Sequence, residues 1–177
     1  MMAKPTLETA RLTLRAHTSG DLVSLVELDA DPEVRRYVDL ADPPSAEDVR
    51  GYLRRWRKYD IEQPNLGFWV AEHEGAFVGW FHLRPPRRGT PQAPGDLEIG
   101  YRLRRPAWGT GLATDGALEL VHHGFALGAP RITAIALTAN RASTRVMEKA
   151  GLSWVNDWTY VAADGRGVPA VLYRRER

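Results

Sequence analysis

Apolar and polar positions change period several times along this chain, and each change marks an element. From Arg11 to Arg15 they alternate, which predicts a first strand. Ser19 to Leu28 places Leu22, Leu25, Val26 and Leu28 on a helical face. Asp31-Pro32 caps and opens a short helical turn through Tyr37. After the break at Asp42-Pro43-Pro44, Ser45 with Glu47 and Asp48 starts a helix whose inward stripe is Val49, Tyr52, Leu53 and Trp56. Phe68 to Glu72 and Ala76 to Leu83 alternate on either side of Gly75, the pattern of a hairpin. Arg84 to Gly95 is rich in proline and glycine and predicts a loop. Asp96 to Leu103 is again a strand. A glycine turn follows, then a long helix from Leu112 to Leu127 closed by Gly128. Arg131 to Leu137 is a mostly apolar strand. Asn140 to Ala150 is a helix ending at Gly151. Ser153 to Val161 and Val168 to Arg174 form a closing hairpin around residues 163–167. The order β-α-α-β-β-β-α-β-α-β-β is that of an α/β chain built on a mixed sheet.

Composition narrows the function. At 177 residues the chain is expected to be one domain with room for a real core. The net charge of +2 makes no case for a nucleic-acid partner. Arginines do cluster: Arg54-Arg55-Trp56-Arg57-Lys58 reads as a solvated helix face, Arg84 joins Arg87-Arg88, and Arg102, Arg104 and Arg105 flank the glycine turn. Cysteine is absent, which excludes disulfides, cysteine zinc sites and a cysteine acyl-enzyme. The histidines (His17, His73, His82, His122 and His123) lack metal-ligand spacing, so no metal is expected. No leader-like segment opens the chain and no run of 18 apolar residues occurs in it. A soluble, cytoplasmic protein without a membrane partner is the expectation; monomer and homodimer both fit it.

The stretch Arg105-Pro106-Ala107-Trp108-Gly109-Thr110-Gly111-Leu112-Ala113-Thr114-Asp115 sits between strand and helix. A helix start offers free N–H groups and a positive dipole end, and glycines let an anion approach the backbone. The turn therefore suits a phosphate or pyrophosphate. A P-loop would need a Gly-Lys pair, and none occurs. A dinucleotide fingerprint would need a third small residue where Thr114 stands, and a carboxylate after the next strand, which ends in Thr138-Ala139-Asn140.

Trp108-Gly109-Thr110-Gly111-Leu112-Ala113-Thr114-Asp115, preceded by Glu98-Ile99-Gly100-Tyr101, resembles the acetyl-CoA motif of the GNAT superfamily of N-acetyltransferases. Asn140-Arg141-Ala142-Ser143 running on to Ala150-Gly151-Leu152 is similar to the motif's second half. Leu7-Glu8-Thr9-Ala10-Arg11-Leu12-Thr13-Leu14-Arg15 resembles the opening of the Rim-type branch, the ribosomal-protein N-terminal acetyltransferase-like proteins. The resemblance spans about residues 6 to 160. It implies a mixed, mostly antiparallel central sheet of about seven strands flanked by helices. The fourth and fifth strands would splay apart to admit acetyl-CoA. It also implies transfer of an acetyl group to a primary amine, on a small molecule or a protein N-terminus, by direct attack in a ternary complex. A non-catalytic acyl-CoA sensor is the alternative.

Four tasks follow from that chemistry. Backbone groups of Gly109, Thr110, Gly111, Leu112, Ala113 and Thr114, beside Trp108, are expected to hold the pyrophosphate. Main-chain groups of Tyr101, Arg102 and Leu103 would meet the pantetheine arm and the thioester carbonyl. Glu98 is the candidate base, with Asp96 behind it. Asn140 and Ser143, three apart at a helix start, are candidates for cofactor contact. Ser143 is also the candidate acid for the departing thiolate, as the Rim-type resemblance implies. Arg145 is a lesser candidate for a nucleotide phosphate, and Trp80 with His82 for the acceptor pocket.

Overall fold

A computed structural model describes residues 4–38, 42–87, 89–162 and 164–177. Arg88 of the second arginine cluster and Ala163 of the closing hairpin lie outside them. The strands are β1 (Leu7–Glu8), β2 (Thr13–Arg15), β3 (Gly67–His73), β4 (Ala76–Arg84), β5 (Leu97–Leu103), β6 (Arg131–Leu137), β7 (Ser153–Val161) and β8 (Gly167–Glu176). The helices are α1 (Leu22–Ala30), α2 (Pro32–Arg35), α3 (Ala46–Glu62), α4 (Leu112–Ala126) and α5 (Arg141–Lys149). They form one sheet of eight strands in the order β1-β2-β3-β4-β5-β6-β8-β7. Seven strands are expected from the pattern. The eighth, β1, has two residues, too few to show a period. Arg11 and Leu12, expected within the first strand, instead form the turn joining β1 to β2.

Local chemistry sets the element ends. Ser45 and Asp48 form a reciprocal capping box on α3, and Asp31 caps α2 ahead of Pro32. Residues Ser19–Asp21 make a 3₁₀ turn rather than the first turn of α1, because Thr18 and Asp21 cap each other there. Gly111, at φ 91°, stands before α4 with no side-chain cap. The amides of Leu112, Ala113 and Thr114 are thus free of intrahelical partners.

The sheet has two working faces. Phe81 and Leu83 of β4, Ile99 of β5 and Ile132 of β6 join Leu120 and Val121 of α4 in the main core. Trp80 turns to the other side, where it meets Trp56 of α3 beside the small cluster of Leu25, Val49 and Leu53. Every neighbouring pair of strands is antiparallel except β5 and β6. That parallel pair holds only at Leu97↔Ile132 and Glu98↔Thr133, after which the strands separate. These are the fourth and fifth predicted strands, and their splay leaves β5 from Ile99 to Leu103 without a strand partner on that edge. Among the described residues no helix is long and apolar enough to cross a membrane.

Candidate active site

The separation of β5 from β6 opens onto the glycine turn at the head of α4. Gly109 (φ 74°) and Gly111 (φ 91°) both take the left-handed conformation that glycine adopts without strain. Trp108 Nε1 donates to the Leu103 carbonyl at 2.8 Å, and Thr110 Oγ1 donates to the Ala107 carbonyl at 2.8 Å. Arg11 locks the turn from outside. Its Nη1 donates to the Thr110 carbonyl at 2.7 Å and its Nε to Asp115 at 2.7 Å. The sequence reading missed Arg11 because the contact spans about a hundred residues and no local pattern announces it.

The arginines flanking the turn divide. Arg102 pairs with Asp29 of α1 and lies over Trp80, and Arg104 pairs with Glu27 and lies over Phe77. Their charges are therefore spent on the α1 side, and Arg102 can serve the slot only through its main chain. Arg145 is exposed on α5.

Across the slot, Asn140 caps α5 by accepting from the Ser143 amide at 3.1 Å. Tyr101 of β5 reaches the same turn. Its hydroxyl donates to the Ser143 carbonyl at 3.1 Å and lies 3.0 Å from Ser143 Oγ. A carbonyl can only accept, so the phenol proton goes there and the serine proton points to the phenol oxygen. Burial pushes the Tyr101 phenol up to about 12, against the pull of its bond to Ser143. Tyr101 is thus more than the main-chain contact expected from sequence: its side chain joins β5 to α5 beyond the point where β5 and β6 part.

On the opposite face Glu98 is 7% exposed and fully engaged. Arg84 Nη2 donates to it at 2.5 Å and Gln92 Nε2 at 2.8 Å, while His82 Nε2 lies 3.4 Å away. Burial alone would raise this carboxyl, but His82, Arg84 and Gln92 outweigh it and hold it below the usual range. A carboxylate so stabilised is a poor proton acceptor by itself. Asp96 is 3% exposed and tied to Arg131 at 2.5 Å and to the Ala93 amide at 3.0 Å. It fastens the loop end to the sheet. Around Glu98 the surface is aromatic: Trp56 stacks on Phe68 with centroids 4.4 Å apart, and His82 packs at 5.3 Å from Phe68 and 5.9 Å from Trp80.

The chain resembles known proteins in sequence and in fold. The chain matches the acetyltransferase (GNAT) domain family over residues 11–153. It is 36% identical over 158 residues to FsC-acetyl coenzyme A-N(2)-transacetylase of Aspergillus fumigatus, covering 86% of this chain and 67% of that protein. Among solved structures, an acetyltransferase (GNAT family) from Bacillus anthracis superposes with TM-score 0.81 at 19% identity, over 97% of this chain and 98% of that one. RimL, a ribosomal L7/L12 α-N-protein acetyltransferase in complex with coenzyme A, superposes with TM-score 0.80 at 16% identity over the same shares of the two chains.

Proposed function

The chain belongs to the GNAT acetyltransferase family, and from that premise we propose that it moves the acetyl group of acetyl-CoA to a primary amine by direct attack in a ternary complex. The observation that carries this reading is the join of an unpaired β5 edge to an uncapped helix start with two left-handed glycines. That combination suits a ligand with an anionic middle and an amide-bearing arm. The amides of Gly109 to Thr114 hold the pyrophosphate there. Main-chain groups of Tyr101, Arg102 and Leu103 align the arm and polarise the thioester carbonyl. The acceptor amine, on a small molecule or a protein N-terminus, lies on the aromatic face beside Glu98, whose charge makes that end of the slot favour a proton. The name of the Aspergillus relative, an N(2)-transacetylase, supports nitrogen as the acceptor atom.

Ser143 serves the leaving group. Its hydroxyl swings from Tyr101 to the departing sulfur and gives up its proton, which Tyr101 replaces from its own hydroxyl. The phenol recovers a proton from water. Without a hydroxyl at position 143 the charge on sulfur is met only by solvent. The Ser143→Ala variant is therefore expected to lose about 10²-fold in kcat, with acetyl-CoA affinity nearly unchanged. Tyr101→Phe is expected to lose less, about tenfold, because Ser143 can still donate. Steady-state kinetics on the best acceptor, paired with calorimetry, checks both; a kcat drop for Ser143→Ala below about threefold would remove the serine from the reaction.

Calorimetric titration with acetyl-CoA, and with NADH as control, tests the reading as a whole. Binding of acetyl-CoA alone, followed by transfer to a member of a panel of peptide N-termini and small amines, is the expected result. Binding without transfer would favour an acyl-CoA sensor.

A further inference from the structure

We propose that His82 is the group that takes the proton from the acceptor amine, with Glu98 as the carboxylate that orients it. The inference rests on the acetyl-transfer reading above and assigns the atom that reading leaves open. Its basis is placement. His82 and Gly100 are register partners on β4 and β5. A Cβ at position 100 would stand 2.4 Å from His82 Cε1 and 2.8 Å from Nε2. The imidazole therefore lies directly over the β5 backbone, filling the space that a side chain at 100 would take. Gly100 is two residues past Glu98, the last β5 residue paired with β6, so the ring lies over β5 just beyond the point where the two strands part.

The ring's bonding fits the role. His82 is 9% exposed, its Nε2 lies 3.4 Å from Glu98 Oε1, and among the described residues its buried Nδ1 has no hydrogen-bond partner. Buried polar atoms without partners are uncommon in folded proteins and call for an explanation. Nε2 faces Glu98 Oε1, which favours the tautomer with its hydrogen on that side. Nδ1 then carries the free lone pair. The charged or titratable groups around the ring are Glu98 on β5, Arg84 on β4 and Arg87 in the next loop. Tyr59 of α3 acts on Arg84, and Arg102, paired with Asp29 of α1, lies on the far side of Trp80. Burial, with Arg84 and Arg87, lowers the imidazole below its ordinary value against the pull of Glu98. His82 is neutral at pH 7 and ready to accept.

The step balances. The neutral amine attacks the thioester carbon, a C–N bond forms, and the C–S bond breaks with its electron pair on sulfur. The N–H proton shed by the nitrogen passes to His82, and sulfur takes its proton from Ser143. His82 later releases its proton to water.

The pH profile of kcat/KM distinguishes this from a structural role. The amine must be unprotonated, which gives log kcat/KM a slope of one below the amine's own pKa. A base that must also be unprotonated adds a second unit of slope below its own pKa. Wild type should show a break from slope two to slope one beneath pH 6.5, at the pH where the His82 ring signals titrate by NMR. His82→Gln should lose about 10²-fold or more in kcat, keep its acetyl-CoA affinity, and show slope one throughout. A His82→Gln enzyme within about threefold of wild type, or one that keeps the break, overturns the assignment. The NMR comparison needs no variant: a break in wild type more than half a pH unit from the His82 titration overturns it equally. Failure of the acetyl-transfer reading looks different, because wild type then acetylates no amine at all, and the assignment of His82 falls with it.

Discussion

Replacing Arg84 with methionine is expected to destabilise the fold by about 3 kcal/mol at pH 7.5, the lower end for breaking a buried ion pair. The side chains of Arg84 and Glu98 are 13% and 10% exposed, and their contact is 2.5 Å. Methionine fills much of the volume, so the cost comes mainly from the charge left on Glu98. Gln92 still donates to that carboxylate, which places the loss at the lower end. Pairing the change with Glu98→Gln should recover most of it, because a neutral amide leaves no uncompensated charge. Urea unfolding of the four proteins in the cycle measures the coupling. A single-variant cost below about 1 kcal/mol, within the range of exposed pairs, would show that the pair is solvated and that Glu98 is free to act as a base unaided.

The same cycle has a pH signature whose sign is fixed by two depressed groups. Glu98 sits below its ordinary value, so its contribution is present above the unfolded carboxyl range and is lost as pH falls through its folded value. His82 is also lowered, so the unfolded chain takes up a proton near pH 6.5 that the native ring refuses. Wild type therefore loses stability on acidification in two stages, through His82 from about pH 6.5 and through Glu98 only below the unfolded carboxyl range. Without Arg84 the ring loses a repelling neighbour and its value rises. Protonated His82 can then supply the cation that Glu98 lacks. The stability gap between wild type and the methionine variant should therefore be widest at pH 7 to 8 and narrow by pH 5. His17, which burial also lowers, contributes equally to both proteins and cancels. The rise in His82 should also carry the break in the kcat/KM profile upward in pH.

How far the sequence reaches is visible in these residues. Alternation placed Glu98 opposite Ile99, and the structure puts Ile99 in the main core and Glu98 beside His82 on the other face. The glycine turn and the starts of α4 and α5 were legible because each is a local rule of backbone chemistry over a few residues. The resemblance implies about seven strands with the fourth and fifth splayed, whereas the sheet has eight, because the two-residue β1 carries no period to read. What stayed illegible is sequence-distant pairing. Arg84 reaches Glu98 because β4 and β5 are in register at that pair, and register cannot be read from either strand alone. Arg102, next to Leu103 in an expected cofactor segment, belongs by its side chain to Asp29 on α1. Tyr101 is expected from sequence only as a main-chain contact, and its side-chain bond to Ser143 depends on how α5 packs after the splay. Gly100 carried a usable signal: a glycine inside a strand often marks the close approach of another group, here the His82 ring.

Gly111→Val is expected to lower acetyl-CoA affinity by about 10²-fold or more while leaving the fold intact. Two effects act at once. The left-handed conformation at φ 91° costs a non-glycine residue about 1–2 kcal/mol, and a β-branched one tolerates it least. A Cβ there would also stand 2.8 Å from Arg11 Nη2. The guanidinium that bonds the Thr110 carbonyl and Asp115 would have to shift. The turn relaxes toward an ordinary conformation, and the amides of Leu112, Ala113 and Thr114 lose their common direction. Each hydrogen bond from such an amide to a charged phosphate is worth about 1.5–3 kcal/mol. Losing two of them exceeds the roughly 2.8 kcal/mol that a hundredfold change requires. Gly111→Asn separates the two causes, since asparagine accepts the left-handed region but still displaces Arg11. It should keep wild-type stability more closely and bind acetyl-CoA with intermediate affinity. Calorimetry at one ionic strength, with thermal unfolding of each variant alongside, gives the comparison. A folded valine variant that binds acetyl-CoA as wild type does would place the pyrophosphate away from this turn, and with it every main-chain role assigned to Gly109 through Thr114.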